Sequence, residues 1–251
     1  MTRADHFRRV VDAYVLRRQS HVSFWRERPA AHPAALAPPY LPYPMTFADK
    51  ARYTGPFDAP GVPVLDYRGA VGRQYNPIAI AQYALAWMNR QVDGEVDAER
   101  HWRPSVEWLH ANLERNEAGL SVWFHRFDWP YRETLRNPWF SGLAQGQGIS
   151  ALLRAARLTG DARYSEAAHR AYEPLETPTS RGGVLYVGES GDPWIEEYLV
   201  DPPSHILNGF LWALWGVHDM IRLGGSVGAE RFFERCVVTL RKNLARYDNG
   251  Y

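Results

Sequence analysis

The chain has 251 residues, 29 Lys and Arg against 28 Asp and Glu, one Cys, and 45% hydrophobic with 23% charged residues. That balance excludes disorder, a low-complexity scaffold and an internal disulfide, and a formal charge of +1 leaves no basic excess for a nucleic-acid backbone. No leader-like apolar segment and no uncharged apolar run of about 18 residues occur, which predicts a soluble, cytoplasmic chain without a membrane segment.

The first predicted element is an amphipathic helix over 4–19, with Phe7, Val10, Val11, Tyr14 and Val15 on one face. Nine prolines between Pro29 and Pro63 then rule out long helices and leave extended segments and turns. From Asn76 the pattern changes. Asn76-Pro77 is a good N-cap and first-turn pair, and NPIAIAQYALAWMNR is apolar on almost every side, as buried helices are. A second helix over 98–114 shows a single stripe of Trp102, Val106, Leu109 and Leu113.

The same pair returns twice. A buried-type helix is predicted over 141–158, with an amphipathic partner over 161–175 carrying Tyr164, Ala167, Ala168, Ala171, Tyr172 and Leu175. After Pro202-Pro203, SHILNGFLWALWGVHDMIRL is followed by an outer helix with Phe232, Phe233, Cys236, Val237, Leu240 and Leu244 inward. Buried helices starting near 77, 141 and 204 repeat with a period of roughly 63 residues. An apolar helix alternating with an amphipathic one is what an (α/α) toroid needs. The expectation is therefore a mainly α chain: residues 1–60 an N-terminal helix and proline-rich segment, and 61–251 an incomplete (α/α) toroid of helical hairpins with short β-hairpin loops at one end.

The long loops, 61–76, 115–140 and 176–203, each enter a buried helix, and long loops on a rigid scaffold are where sites are built. In SVWFHRFDW, strand alternation sets Trp123, His125, Phe127 and Trp129 against Arg126 and Asp128. This is either a sugar-stacking wall or a strand burying its aromatic face, and the pattern favours the second. Gln145 and Gln147 are amides near the mouth of an apolar helix, able to bond sugar hydroxyls or backbone. Within GGVLYVGESGDPWIEEYLVDPP, two extended runs flank a Gly-Asp-Pro turn and lead to Glu196, Glu197 and Tyr198. Two carboxylates and a phenol can form an acid/base cluster if burial moves them toward neutrality; a solvated acidic edge is the alternative, which the pattern alone favours. His205 reads as structural. Gly224 to Gly228 fits G-x-S-x-G but joins two helices where a nucleophile elbow needs a strand. No dinucleotide fingerprint or metal-ligand spacing is present, so neither cofactor nor catalytic metal is predicted.

Four stretches carry a resemblance: GRQYNPIAIAQYAL at 72–85, NPWFSGLAQGQGISALLRAARLTGD at 137–161, WIEEYLVDPPSHILNGFLWALWGVHD at 194–219 and LARYDNG at 244–250. Together, and in this order, they resemble the C-terminal helical domain of the D-glucuronyl C5-epimerases of heparan sulfate and heparosan. The resemblance implies inversion of C5 of glucuronate units within a polysaccharide, giving iduronate by proton removal α to the carboxylate and reprotonation on the other face. It implies that Tyr198 exchanges the proton, that Glu197 positions or tunes it, and that Tyr75, Trp139, Gln145 and Asn208 contact substrate. It also implies further essential tyrosines and basic residues after the YDNG stretch, so the 61–251 domain is expected to be C-terminally truncated relative to the family. The implied partners are an acidic polysaccharide and a second copy of the chain as a homodimer. Two other functions stay open: a polysaccharide lyase, which shares the C5 proton abstraction, and an inactive carbohydrate-binding relative. The aromatics expected to face substrate are Tyr75, Trp123, Trp139, Trp194 and Tyr198.

Overall fold

The structure is a computed structural model that describes Val11, Phe24, Trp25, residues 27–248 and Gly250. The helix predicted over 4–19 lies, Val11 aside, outside the described residues. Compactness divides the chain into two units, Met1–Trp108 and Leu109–Tyr251. The change of composition near residue 60 therefore falls inside the first unit.

In the first unit the proline-rich segment forms turns and extended stretches, as its composition requires. Asn89 ties it down: its side chain accepts from the Tyr43 N–H at 2.7 Å and donates to the carbonyls of Tyr43 and Met45 at 3.2 and 3.0 Å. Strands β1 (Leu65–Asp66) and β2 (Arg73–Gln74) form an antiparallel hairpin that leads into helix α1 (Pro77–Val92). The Asn76 side chain accepts from the N–H groups of Ile78 and Ala79, so the predicted cap is made. Thirteen of the 16 residues of α1 are buried, as its all-round apolar sequence predicts. Helix α2 (Glu99–Ala111) meets α1 through a flat stack of His101 on Trp87 at 3.8 Å and a hydrogen bond from Trp102 to Gln91 at 2.5 Å.

The second unit begins with two small antiparallel hairpins, β3 (Glu114–Arg115) with β4 (Ser121–Val122), and β5 (Trp129–Pro130) with β6 (Thr134–Leu135). Helix α3 (Gly142–Thr159) follows, capped by Ser141, and then α4 (Ala162–Glu176), capped by Asp161. A third hairpin, β7 (Leu185–Val187) with β8 (Pro193–Ile195), pairs Leu185 with Ile195, Tyr186 with Trp194 and Val187 with Pro193. It leads to α5 (Leu207–Arg222) and α6 (Gly228–Asn243). The three apolar helices start at Pro77, Gly142 and Leu207, an even spacing of about 65 residues, and every described hairpin lies in a connection entering one of them.

Helix α3 is the centre of this unit, packed on α5 along one side and on its own amphipathic partner α4 along another, while α6 covers α5. The inward stripe of α4 is buried as predicted. On α6, Phe232 and Cys236 are buried and Phe233, Val237 and Leu240 half-buried. Leu244, expected inward, is 51% exposed because α6 ends at Asn243 and the chain tightens into a 3-10 turn. The Cys236 thiol, pushed up to about 12 by burial, is a small core hydrophobe.

The α3–α5 crossing is close because Gly146 lies at it. A Cβ there would fall 2.4 Å from the Ala213 Cα and 2.7 Å from the Trp212 carbonyl oxygen, backbone atoms that cannot swing aside. Gly146→Ala is expected to cost about 1–3 kcal/mol through overpacking, read as a lower urea midpoint. Unchanged stability would mean the helices separate at no cost. Among the described residues no helix is long and apolar enough to cross a membrane.

Candidate active site

The segment after β8 is held by both buried helices of the second unit. The Glu196 N–H donates to the Val184 carbonyl at 2.8 Å, extending the hairpin, and the Glu196 carbonyl accepts from the Gly142 N–H at the start of α3 at 3.0 Å. The side chain that follows, Glu197, lies across the first turn of α5. A Cβ on Gly209 would sit 2.4 Å from Glu197 Oε2, so a residue without a side chain is needed there.

The two adjacent glutamates have different work. Glu196, 2% exposed, accepts at Oε2 from the N–H of Ser204, the hydroxyl of Ser204 and the N–H of His205 at 3.0 to 3.2 Å. Its Oε1 meets His205 Nδ1 at 2.5 Å, and the His205 ring stacks on Trp194 at 4.6 Å. Glu196 is thus a clamp on the turn before α5. This explains why α5 begins at Leu207 and not directly after Pro203: the N–H groups of Ser204 and His205 are captured, and His205 takes a left-handed φ of 47°.

Glu197 is also buried, 6% exposed, but its Oε2 has no hydrogen-bond partner among the described residues. Burial pushes its carboxyl up to about 7, and the hydrogen bond with Tyr198 offsets only part of that rise. Tyr198 is half-buried, with its ring 5.7 Å from Trp139 and 4.7 Å from Tyr131. A carboxyl poised near neutrality stands behind a phenol that reaches the surface, and the two can pass a proton between them.

Residues 116–251 match the family described as D-glucuronyl C5-epimerase C-terminus. The chain belongs to this family. It is 33% identical over 159 residues to the D-glucuronyl C5-epimerase of Caenorhabditis elegans, covering 58% of this chain and 25% of that protein. It is also 27% identical over 143 residues to an uncharacterized protein of Methanocaldococcus jannaschii, covering 56% of this chain and 46% of that one. The chain thus spans between a quarter and about half the length of these relatives.

Within the second unit, which the family match covers from residue 116 on, the residues expected at the site are distributed unevenly. Glu197, Tyr198 and Trp139 are brought together. Trp139 also stacks flat on His125 at 3.8 Å and donates from its indole to the Phe127 carbonyl at 2.8 Å. Asn208 is exposed on the first turn of α5, next to the glycine beneath Glu197. Gln145 is fully buried: it accepts from the Trp123 N–H at 3.0 Å and donates to the carbonyls of Ser121 and Ala171 at 3.1 and 2.9 Å. Its amide holds the 121–123 backbone on α3. Tyr75 belongs to the first unit, where it stacks on Trp108 at 5.5 Å and donates its hydroxyl to Asp58 at 2.8 Å.

Two loop tryptophans expected to face substrate are buried instead. Trp123, 0% exposed, donates to the Leu109 carbonyl at 2.7 Å, and Trp194, 5% exposed, packs under His205. The alternation in SVWFHRFDW is realised as the buried-face alternative, with Trp123, His125 and Phe127 inside and Arg126 and Asp128 outside. Burial pushes the His125 imidazole down to about 3, so it packs as a neutral ring. Sequence reasoning missed Tyr131 and Arg132 at the β5–β6 tip. Their signal was a Pro-Tyr-Arg-Glu turn between Trp129 and Thr134, but only the fold-back of that hairpin sets it beside Tyr198.

Proposed function

We propose that this chain forms the proton-exchanging side of a uronate C5-epimerase, converting D-glucuronate to L-iduronate units within a heparosan-like acidic polysaccharide. The observation that carries the reading is the buried Glu197 carboxyl, raised to about 7 and bonded to the accessible Tyr198. The 33% identity to a D-glucuronyl C5-epimerase supports the reaction class. The packing of α3 on α5, each backed by its amphipathic partner, supports reading the hairpins as consecutive segments of an (α/α) toroid.

The C5–H bond lies α to a carboxylate and is very weakly acidic, so its cleavage needs a base in contact and stabilisation of the charge that develops. In the proposed step the Tyr198 oxygen takes the C5 proton while its own proton passes to ionised Glu197. The C–H electron pair spreads into the substrate carboxylate as an enediolate. A proton supplied by solvent to the opposite face gives the iduronate, and Glu197 releases its proton to solvent, restoring the starting state. Trp139 would stack on the sugar ring, and Asn208 would bond its hydroxyls.

Incubating the protein with heparosan in D2O is expected to place deuterium at uronate C5, read by NMR, without the rise in ultraviolet absorbance that lyase cleavage produces. Because Glu197 must be ionised to accept the relayed proton, the exchange rate should climb about tenfold per pH unit below about 7 and level off above it. Absence of exchange from folded protein sinks the reading, and a flat profile between about pH 5 and 8 removes Glu197 from the relay.

A further inference from the structure

We propose that Arg132, at the tip of the β5–β6 hairpin, binds the carboxylate of the uronate whose C5 proton Tyr198 removes, and so makes the site select uronates over neutral sugars. This rests on the epimerase reading and names the group that recognises its substrate. The placement comes from three contacts. The Tyr131 ring lies 4.7 Å from that of Tyr198, so the hairpin tip sits beside the phenol ring. The Arg132 guanidinium lies over the Tyr131 ring at 5.7 Å. Its Nη2 donates to the carbonyl of Pro202, in the loop that continues from Tyr198.

The charges around the site single this residue out. Arg136, on the same hairpin, is neutralised by Asp128 at 2.7 Å. His205 is held by Glu196 at 2.5 Å. Glu197 lies behind the phenol and is itself an acid. Among the described residues no carboxylate pairs with Arg132, which is exposed and spends a hydrogen bond only on a backbone carbonyl. A guanidinium has five N–H donors in a fixed fork, so a pair remains for the two oxygens of a carboxylate.

The chemistry requires such a group. When the C5 proton leaves, the substrate carboxylate becomes an enediolate with a second negative charge, developed close to Glu197. Without a cation, that charge would oppose the transfer; a guanidinium already in place stabilises it with no reorganisation. Lysine at this position would supply charge without the two-point fit.

The test measures dissociation constants of the 251-residue protein for an unsulfated heparosan oligosaccharide and for the same oligosaccharide with its carboxyl groups reduced to alcohols, together with C5 exchange in D2O. The protein is expected to prefer the uronate form about ten- to hundredfold. In Arg132→Gln that preference should fall to near unity, and Arg132→Lys should restore part of the preference but little of the exchange rate. A simple loss of loop structure would weaken both ligands alike and leave their ratio unchanged, which would overturn the inference. So would Arg132→Gln keeping the full preference, or a wild-type protein that shows none. Retained preference and rate in Arg132→Gln, with exchange in the wild type, removes Arg132 and leaves the epimerase reading standing. A preference that depends on Arg132 in a protein that never exchanges C5 keeps the carboxylate site and removes the epimerase reading.

Discussion

Glu197→Gln is expected to slow C5 exchange by about 10²- to 10⁴-fold and, at the same time, to make the protein more stable at pH 8. The two effects share one cause. A carboxyl whose folded value, about 7, lies above its ordinary 4.5 binds its proton more tightly in the folded chain than in the unfolded one. The folded state therefore gains as pH falls from about 7 toward 4.5 and is penalised as pH rises through 7, where burial must be met by an ionised group with one oxygen unpartnered. Glutamine keeps the volume over Gly209 and an oxygen for Tyr198 but never ionises. Relative to wild type it should gain about 2–3 kcal/mol at pH 8 and show no slope between about pH 5 and 7, by urea denaturation at each pH. The gain separates this outcome from misfolding, since a variant that loses activity because it unfolds cannot melt later. A variant that exchanges at the wild-type rate removes Glu197 from the chemistry. One that exchanges slowly without stabilisation shows that the wild-type carboxyl is not held in an apolar site.

Such a site was only partly legible in the sequence. Period and punctuation located the helices: Asn76-Pro77, Ser141 and Asp161 start α1, α3 and α4 at the expected places because each cap is a local event between neighbouring residues. The start of α5 shifted because its determinant, the Glu196 carboxylate, reaches Ser204 and His205 from eight and nine residues away. The same difference separates the two glutamates. Adjacent and chemically identical in the sequence, they acquire opposite roles because one meets a row of donors and the other a glycine-lined helix turn without them. The bonding of Gln145 was open for a related reason: an amide near a helix mouth has no address until the strand whose backbone it bonds, at 121–123, is folded against it. Tyr131 and Arg132 left only a turn signal, because a two-residue pairing of β5 with β6 is too short to leave a periodic one.

Helices α3 and α5 beneath the site share a buried charge pair. Arg154 in the middle of α3 and Asp219 in α5 meet at 2.5 and 3.2 Å with side chains 1% and 2% exposed. Burial alone would raise the Asp219 carboxyl, but the Arg154 charge and its hydrogen bonds outweigh it and hold the group below its usual value. Removing one partner leaves the other charge buried and uncompensated, so Asp219→Ala is expected to cost about 3–5 kcal/mol in chemical denaturation. Replacing both, Arg154→Met with Asp219→Leu, should recover most or all of that loss, because the desolvation of two ions disappears with their attraction. The double variant then tests what the pair contributes besides stability. α3 and α5 supply the Gly142 N–H that holds Glu196 and the Gly209 surface that seats Glu197, and a charge pair between them is one device that can set their register. A double variant as stable as wild type but slow in C5 exchange, with a Glu197-dependent pH limb displaced from about 7, assigns the pair to positioning the catalytic segment. Wild-type exchange in that variant shows that the glycine-mediated crossing at Gly146 sets the register by itself, leaving the ion pair with no role in the chemistry.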